Sequence, residues 1–419
     1  MSKTSKFRAS LLATLMALPI AGLAALTLST DAIAQEQRSG GWRKELADKV
    51  QAAQTAGQKG NFSEAIRLLK EAKAKAPLSR EEEQGINELL IWAASGAKDH
   101  RLVIQTVDER LATGRVTGAD LVRKLRLKAT THYALREYRD AAATLNKLAG
   151  SQALNTDDLI LLGNCQSLQG DYRNAAVTLE KAIAGAQKAG RPPSVVSKLL
   201  LALHEAYDKT GNDAKRMETL HRLMVAAPSK DSFKWIASAY EVASDRDPIV
   251  MISMYRLGAS RNLLSGEHYA KYAETALDLS SPGEAVAMLE KGMANGVIKK
   301  DDRNNRLLAD AKSQVDRVKA TLSQQEAEAK AIATGEPEAK LATAYFTLKN
   351  YAKAVEAAKR GVEKGKLRRP EGLHMLLGVA LAENKRPAEA KTAFKAAAAA
   401  AKPDTKVRGV ADLWASMTG

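Results

Sequence analysis

The residues of this 419-residue chain that could do chemistry are few and scattered. Six histidines show no HExxH arrangement and no His/Cys cluster at metal-ligand spacing, so no metal centre is expected. His132, His204 and His374 fall on positions that a helical repeat would use for packing. Cys165 is the only cysteine, which excludes an intramolecular disulfide, and it reads as a small buried hydrophobe. There is no GxSxG, Walker, EF-hand or GxGxxG motif. The acidic residues lie on outward helix faces among Lys and Arg, and Glu81-Glu82-Glu83 stand where a helix N-terminus favours negative charge. No catalytic set and no cofactor are expected, and the chain does not read as an enzyme.

Binding chemistry is better supplied. The net charge is +16, with 45% apolar and only 5% aromatic residues. The basic residues are spread along the chain, and so few aromatics give no stacking platform, so nucleic acid is not the expected partner. Anionic envelope surfaces or acidic protein patches fit better. The densest basic stretch, Lys359 to Arg369, is either such a contact or a solvated helix end.

These side chains must be positioned by helices. In Leu159 to Ala182, Leu159, Leu162 and Gly163 share one helical face; Gly170 interrupts; Tyr172, Ala175, Leu179 and Ala182 resume the period. The pattern recurs at Ala65, Val103, Ala141, Ala175, Arg216, Val250, Ala285, Ala320, Ala354 and Ala390, with gaps of 34 to 41 residues. Ser79 and Glu82 make a capping box. Around Val315 nothing marks a turn, so Ala311 to Ala333 reads equally as one longer helix. The expected fold is all-α, an α-solenoid (superhelix) of about ten helix pairs spanning 43–402, each packing on its neighbours. Residues 403–419, with Val407, Val410, Ala411 and Trp414 at helical spacing, are expected to cap its end.

The N-terminus belongs to another class. Lys3, Lys6 and Arg8 precede an apolar run from Leu11 to Leu28, and Ala32-Ile33-Ala34 supplies a signal-peptidase site. Residues 1–34 are read as a signal peptide and 35–42 as a linker. The mature chain, expected to begin at Gln35, would be periplasmic, without a transmembrane span. An uncleaved anchor is the alternative.

The Leu-Gly of the first helix, the paired Ala of the second and the 34-residue period resemble the tetratricopeptide repeat (TPR) family. Leu159 and Gln166 depart from its usual Trp and Tyr. The resemblance implies a concave groove lined by first-helix residues, here Arg126, Thr130 and Tyr133; Ile160, Asn164 and Ser167; and Leu201, Glu205 and Asp208. The residues singled out as partner contacts are Arg126, Tyr133, Asn164, Lys198 and Glu205. The carboxylate clamp of some relatives is not transferred, because only Asn164 matches it. From Pro228 onwards, MYRLGASRNLL, AVAMLEKGMANGVI and GLHMLLGVALAENKRPAEAKTAF look like exported bacterial TPR proteins often encoded beside TonB, ExbB and ExbD components. That resemblance implies a non-catalytic periplasmic scaffold that binds segments of envelope proteins, as an accessory of TonB-dependent transport. The alternatives are a component of polysaccharide or outer-membrane export and, more remotely, a cell-wall enzyme or its regulator.

Overall fold

Helix ends in this chain are written by small polar caps. Asn61, Asp99, Asp171 and Asn350 each accept a hydrogen bond from the backbone N–H three residues on, at 3.1–3.3 Å. That satisfies one of the donors a helix start leaves unpaired. A computed structural model describes residues 42–75, 77–150, 154–403 and 405–419. The signal-peptide and cleavage-site readings, and the linker up to residue 41, lie outside the described residues. Among the described residues there are helices and no strand, as an all-α solenoid of helix pairs requires, and no helix is long and apolar enough to cross a membrane.

The chain divides into two compact units, Met1–Arg216 and Met217–Gly419. Unit 1 holds hairpins α1 (Lys44–Gln58)/α2 (Phe62–Lys73), α3 (Arg80–Gly96)/α4 (His100–Ala112), α5 (Gly118–Ala134)/α6 (Tyr138–Gly150) and α7 (Thr156–Leu168)/α8 (Tyr172–Lys188), then α9 (Pro193–Lys209). Helix α10 (Asp213–Ala226) runs across the division. Unit 2 continues with α11 (Lys230–Ala243), α12 (Pro248–Ser260), α13 (Glu267–Asp278), α14 (Pro282–Ala294) and α15 (Asp302–Ala331). It ends with hairpins α16 (Glu336–Thr347)/α17 (Tyr351–Lys364) and α18 (Pro370–Glu383)/α19 (Pro387–Ala400), and with α20 (Val407–Met417). The unit aligned on Ala320 is the single long helix α15, of 30 residues, in which only Ala311 and Ala329 are buried. With so thin an apolar stripe, no turn is needed to fold a second face back onto the first.

Within a hairpin, glycine sets the crossing. A Cβ on Gly163 would lie 2.9 Å from Leu179 Cδ2, and one on Gly378 2.4 Å from Phe394 Cε1. Leu179 can rotate aside; Phe394 cannot, because it stacks on Trp414 with ring centres 4.8 Å apart.

The units differ in how their helices hold together. In unit 1 the helices from α1 to α9 each pack on their sequence neighbours within that run, as in a solenoid. Unit 2 adds contacts between residues far apart in sequence. Nine consecutive residues of α12, Val250 to Gly258, are buried. Helix α12 packs against α18 and α20 as well as its sequence neighbours α11 and α13. Trp414 Nε1 donates to the Ser253 carbonyl at 2.9 Å, and Arg369 Nη2 to Asp247 at 2.9 Å. Helix α20 therefore packs on α19 and also on α12, some 160 residues earlier, rather than on the preceding hairpin alone.

A recurrent ion pair joins helices in both units. The third residue of α3, α7, α14 and α16 is an acid (Glu82, Asp158, Glu284, Glu338), and each carboxylate receives two guanidinium N–H bonds from another part of the chain. Arg43 holds Glu82 at 3.0–3.1 Å, and Arg126 holds Asp158 at 2.8–3.0 Å. Arg256 holds Glu284 at 2.6–2.9 Å, and Arg360 holds Glu338 at 3.0–3.1 Å. Glu82 also closes the capping box expected with Ser79, and Asp158 closes one with Asn155.

Two outcomes follow from this packing. Gly378→Ala should destabilise unit 2 by about 1–3 kcal/mol in urea unfolding, and Gly163→Ala should cost less, because the methyl meets a rotatable Leu. The second concerns acid. The Arg43 bonds, then that from Ser79, hold the Glu82 carboxyl down at about 2. Its stabilisation is full above the unfolded pKa of about 4.3 and disappears as pH falls towards 2. Glu82→Gln should thus lower the melting temperature at pH 7, and that difference should shrink progressively below about pH 4, read by circular dichroism.

Candidate functional site

In unit 1 the first helices α5, α7 and α9 lie side by side, with α7 packed on both. This brings the five sequence-selected residues onto neighbouring helices: Arg126 and Tyr133 on α5, Asn164 on α7, Lys198 and Glu205 on α9. Their chemical situations differ sharply.

Arg126 is a brace. Its guanidinium is spent on buried Asp158, tying α5 to α7. Charge reversal there would expose the α7 cap to an unpaired carboxylate, so it tests stability before it tests binding. Lys198 is half-buried and partnered. The Tyr133 phenol is pushed up to about 12, mainly by burial, with Cys165 of α7 and Tyr138 adding to it. It also sits edge-on to Tyr138 at 5.4 Å.

Asn164 is the informative residue. It is 1% exposed, and neither its amide nitrogen nor its oxygen has a hydrogen-bond partner among the described residues. The same holds for buried atoms of Gln166 (Oε1) and Ser167 (Oγ) on α7, and of His204 (Nδ1) and Glu205 (Oε2) on α9. Buried polar atoms are nearly always paired, and each unpaired one costs about 1–3 kcal/mol. Burial raises the Glu205 carboxyl above its ordinary range, against the opposing pull of Lys209. Tyr172, whose phenol is raised by burial and by Glu205, lies at the same place, with the Lys209 ammonium 6.0 Å from its ring centre. Among the described residues, every such unpaired side-chain atom belongs to unit 1.

The remaining chemistry-bearing residues are accounted for locally. His132 Nδ1 meets Glu137 Oε2 at 2.7 Å, and Arg101 meets the other Glu137 oxygen at 2.6 Å. His132, Glu137 and Asp140 could reach one metal ion, with their ligand atoms within 4.8 Å, yet Arg101 already balances Glu137 and both acids stand at the start of α6. Burial lowers the pKa of both His204 and His374. Burial pushes Cys165 up to about 12, which leaves it protonated and unreactive at neutral pH. In the basic stretch, Lys359 pairs with Glu389, Arg360 and Lys364 with Glu338, and Arg369 with Asp247 and Glu371. Much of its charge is used inside unit 2.

A family model described as tetratricopeptide repeat matches residues 339–405, which span most of α16 through α19. No curated protein sequence matches the chain. Among solved structures, the chain is similar to Naa15/Naa10 bound to HypK-THB, at 16% identity and a TM-score of 0.41, covering 92% of this chain. It spans 57% of that structure's chain. It is also similar to the TPR2AB domain of yeast Sti1 in a complex with pHSP90, at 15% identity over 72% of this chain and 100% of that one, with a TM-score of 0.26. A tetratricopeptide repeat protein from Parabacteroides merdae ATCC 43184 matches at 14% identity, 70% and 98% coverage and a TM-score of 0.29. Hairpins α16/α17 and α18/α19 thus carry the tetratricopeptide pattern in their sequence.

Proposed function

We propose that this chain is a non-catalytic scaffold that holds polar segments of protein partners along α7 and α9 of unit 1. The observation that carries the reading is the set of unpaired buried polar atoms on those two first helices, led by both amide atoms of Asn164. A peptide backbone presents the complementary donors and acceptors at every residue. Export to the periplasm is part of the proposal and rests on the Lys3/Lys6/Arg8 start, the apolar run and Ala32-Ile33-Ala34. Service to TonB-dependent transport rests on the resemblance of the segments from Met254 to Phe394. A contact with an anionic membrane surface would have to use basic side chains outside the pairs within Lys359 to Arg369.

Asn164→Leu tests the groove directly. If the amide waits for a partner, removing it should leave the melting temperature of the free protein unchanged or raised, because a buried unpaired amide is lost. The same change should weaken partner capture about three- to tenfold, the worth of one hydrogen bond. Crosslinking from positions 167 and 205 in intact cells should trap an envelope protein. Undiminished capture would sink the reading, whatever the melting temperature does. Trapping of a synthase or an export pore, in place of a TonB-system component, would transfer the scaffold to the export alternative. N-terminal sequencing checks export separately: a mature end at Gln35 supports it, and an intact Met1 end refutes it.

A further inference from the structure

Unit 2 contains an open cavity of about 240 Å³ that neither the groove nor the repeat explains. Three of its lining residues are rings, Tyr272, Phe346 and Tyr351, in a chain with 5% aromatic residues; Met288 and Val379 add apolar surface. The polar part of the wall is the α14 ion pair. Glu284 takes two bonds from Arg256, one from Tyr272 Oη at 2.6 Å and one from Ser281 Oγ at 2.7 Å. Four bonds fill the acceptor sites of a carboxylate, so this acid has nothing left for a ligand. The pair instead fixes the rings. The Arg256 guanidinium lies 5.0 Å from the centre of Phe346, which meets Tyr351 edge-on at 5.3 Å.

Charge selects the occupant. Two cations, Arg256 and Lys349, face two anions, Glu284 and Glu383, around the cavity, so its lining carries no net charge. Arg256 and Glu284 neutralise each other within the wall, and the exposed Lys349 and Glu383 remain available to an acceptor and a donor. An apolar ring between two peptide groups has this character: uncharged at its centre, with a carbonyl for the lysine and an N–H for the carboxylate. We infer that this cavity takes the aromatic side chain of a residue within a partner polypeptide. The inference rests on the reading of the chain as a binder of protein segments but uses a different unit and different residues. A free aromatic amino acid is the other source of such a ring, and it would engage Lys349 and Glu383 through its own charges.

The test follows the Met288 methyl resonance in full-length protein labelled at methionine methyls, assigned with Met288→Leu. N-acetyl-tryptophanamide should shift it saturably through the ring current of the bound indole. N-acetyl-leucinamide should bind about three- to tenfold more weakly, for want of ring–ring contacts. Ala287→Phe, which fills the cavity from its lining, should abolish the shift while the other methionine signals keep their folded positions. Should that variant fail to fold, the comparison of ligands on the parent protein still decides. Equal binding of the leucine and tryptophan amides, tighter binding of free tryptophan than of its blocked amide, or an unmoved Met288 signal would each overturn the proposal. Loss of partner capture in Asn164→Leu with a normal Met288 shift supports both assignments. Normal capture in that variant with a normal Met288 shift removes the groove alone, and an unmoved Met288 removes the cavity alone.

Discussion

The interaction on which most else depends is the arginine that reaches a buried carboxylate in the first turn of another helix. A helix start leaves N–H groups unpaired, and an acid at its third residue answers them both through its charge and, in α3 and α7, through a capping box. Stacked helices, however, bury that acid. Glu82 is 2% exposed and Glu338 1%, and an isolated ionised carboxylate at such depth would be prohibitive. A forked guanidinium resolves the conflict, since its planar donors match both oxygens at once and stay charged at any working pH. The arginine therefore joins two helices and fixes their relative rotation. Arg43 and Arg126 do this between successive hairpins, Arg256 between α12 and α14, and Arg360 within one hairpin.

The same kind of pairing engages charges that look concentrated in the sequence. The groups that look like a basic patch between Lys359 and Arg369 are largely consumed by Glu338, Glu389, Glu371 and Asp247. Position in the sequence concentrates them; folding disperses them among acids drawn from four places. A local count of Lys and Arg overstates the field whenever the compensating acids lie on other helices.

That is also the boundary of what could be read from the sequence. Hairpin identity was legible because its signals are local: the 34-residue period, Gly163 opposite Leu179, Gly378 opposite Phe394, and the Ser79/Glu82 box. Turns were harder where Lys98, Arg136, Lys349 and Lys385 adopt the left-handed conformation that Gly170 adopts in the best-formed unit. There the following Asp99 or Asn350 cap was the surer sign. The clamps were invisible, because Arg43 and Glu82 stand 39 residues apart and Arg126 and Asp158 stand 32 apart, with nothing local to couple them. The closure of unit 2 on α12 was invisible for the same reason at greater distance, with 161 residues between Trp414 and Ser253. Periodicity put Asn164 and Glu205 on helices, which are α7 and α9. It could not tell that Arg126 was already engaged, nor that Asn164 was not.

This last distinction, between engaged and unengaged polar groups, separates the two proposed recognition surfaces physically. On α7 and α9 the polar atoms are buried and unsatisfied, so a partner gains by supplying hydrogen bonds that the free protein lacks, and an apolar ligand gains nothing from them. Around Glu284 every acceptor site is filled, so a partner gains by covering rings and aliphatic carbon, with Lys349 and Glu383 left for the peptide groups that flank its ring. The first mode is sensitive to the direction and spacing of a backbone; the second to the size and flatness of one side chain. A polypeptide carries both features. The two surfaces share a ligand class although they share no residue, which is why a scaffold for protein segments is the reading that uses the most of this molecule.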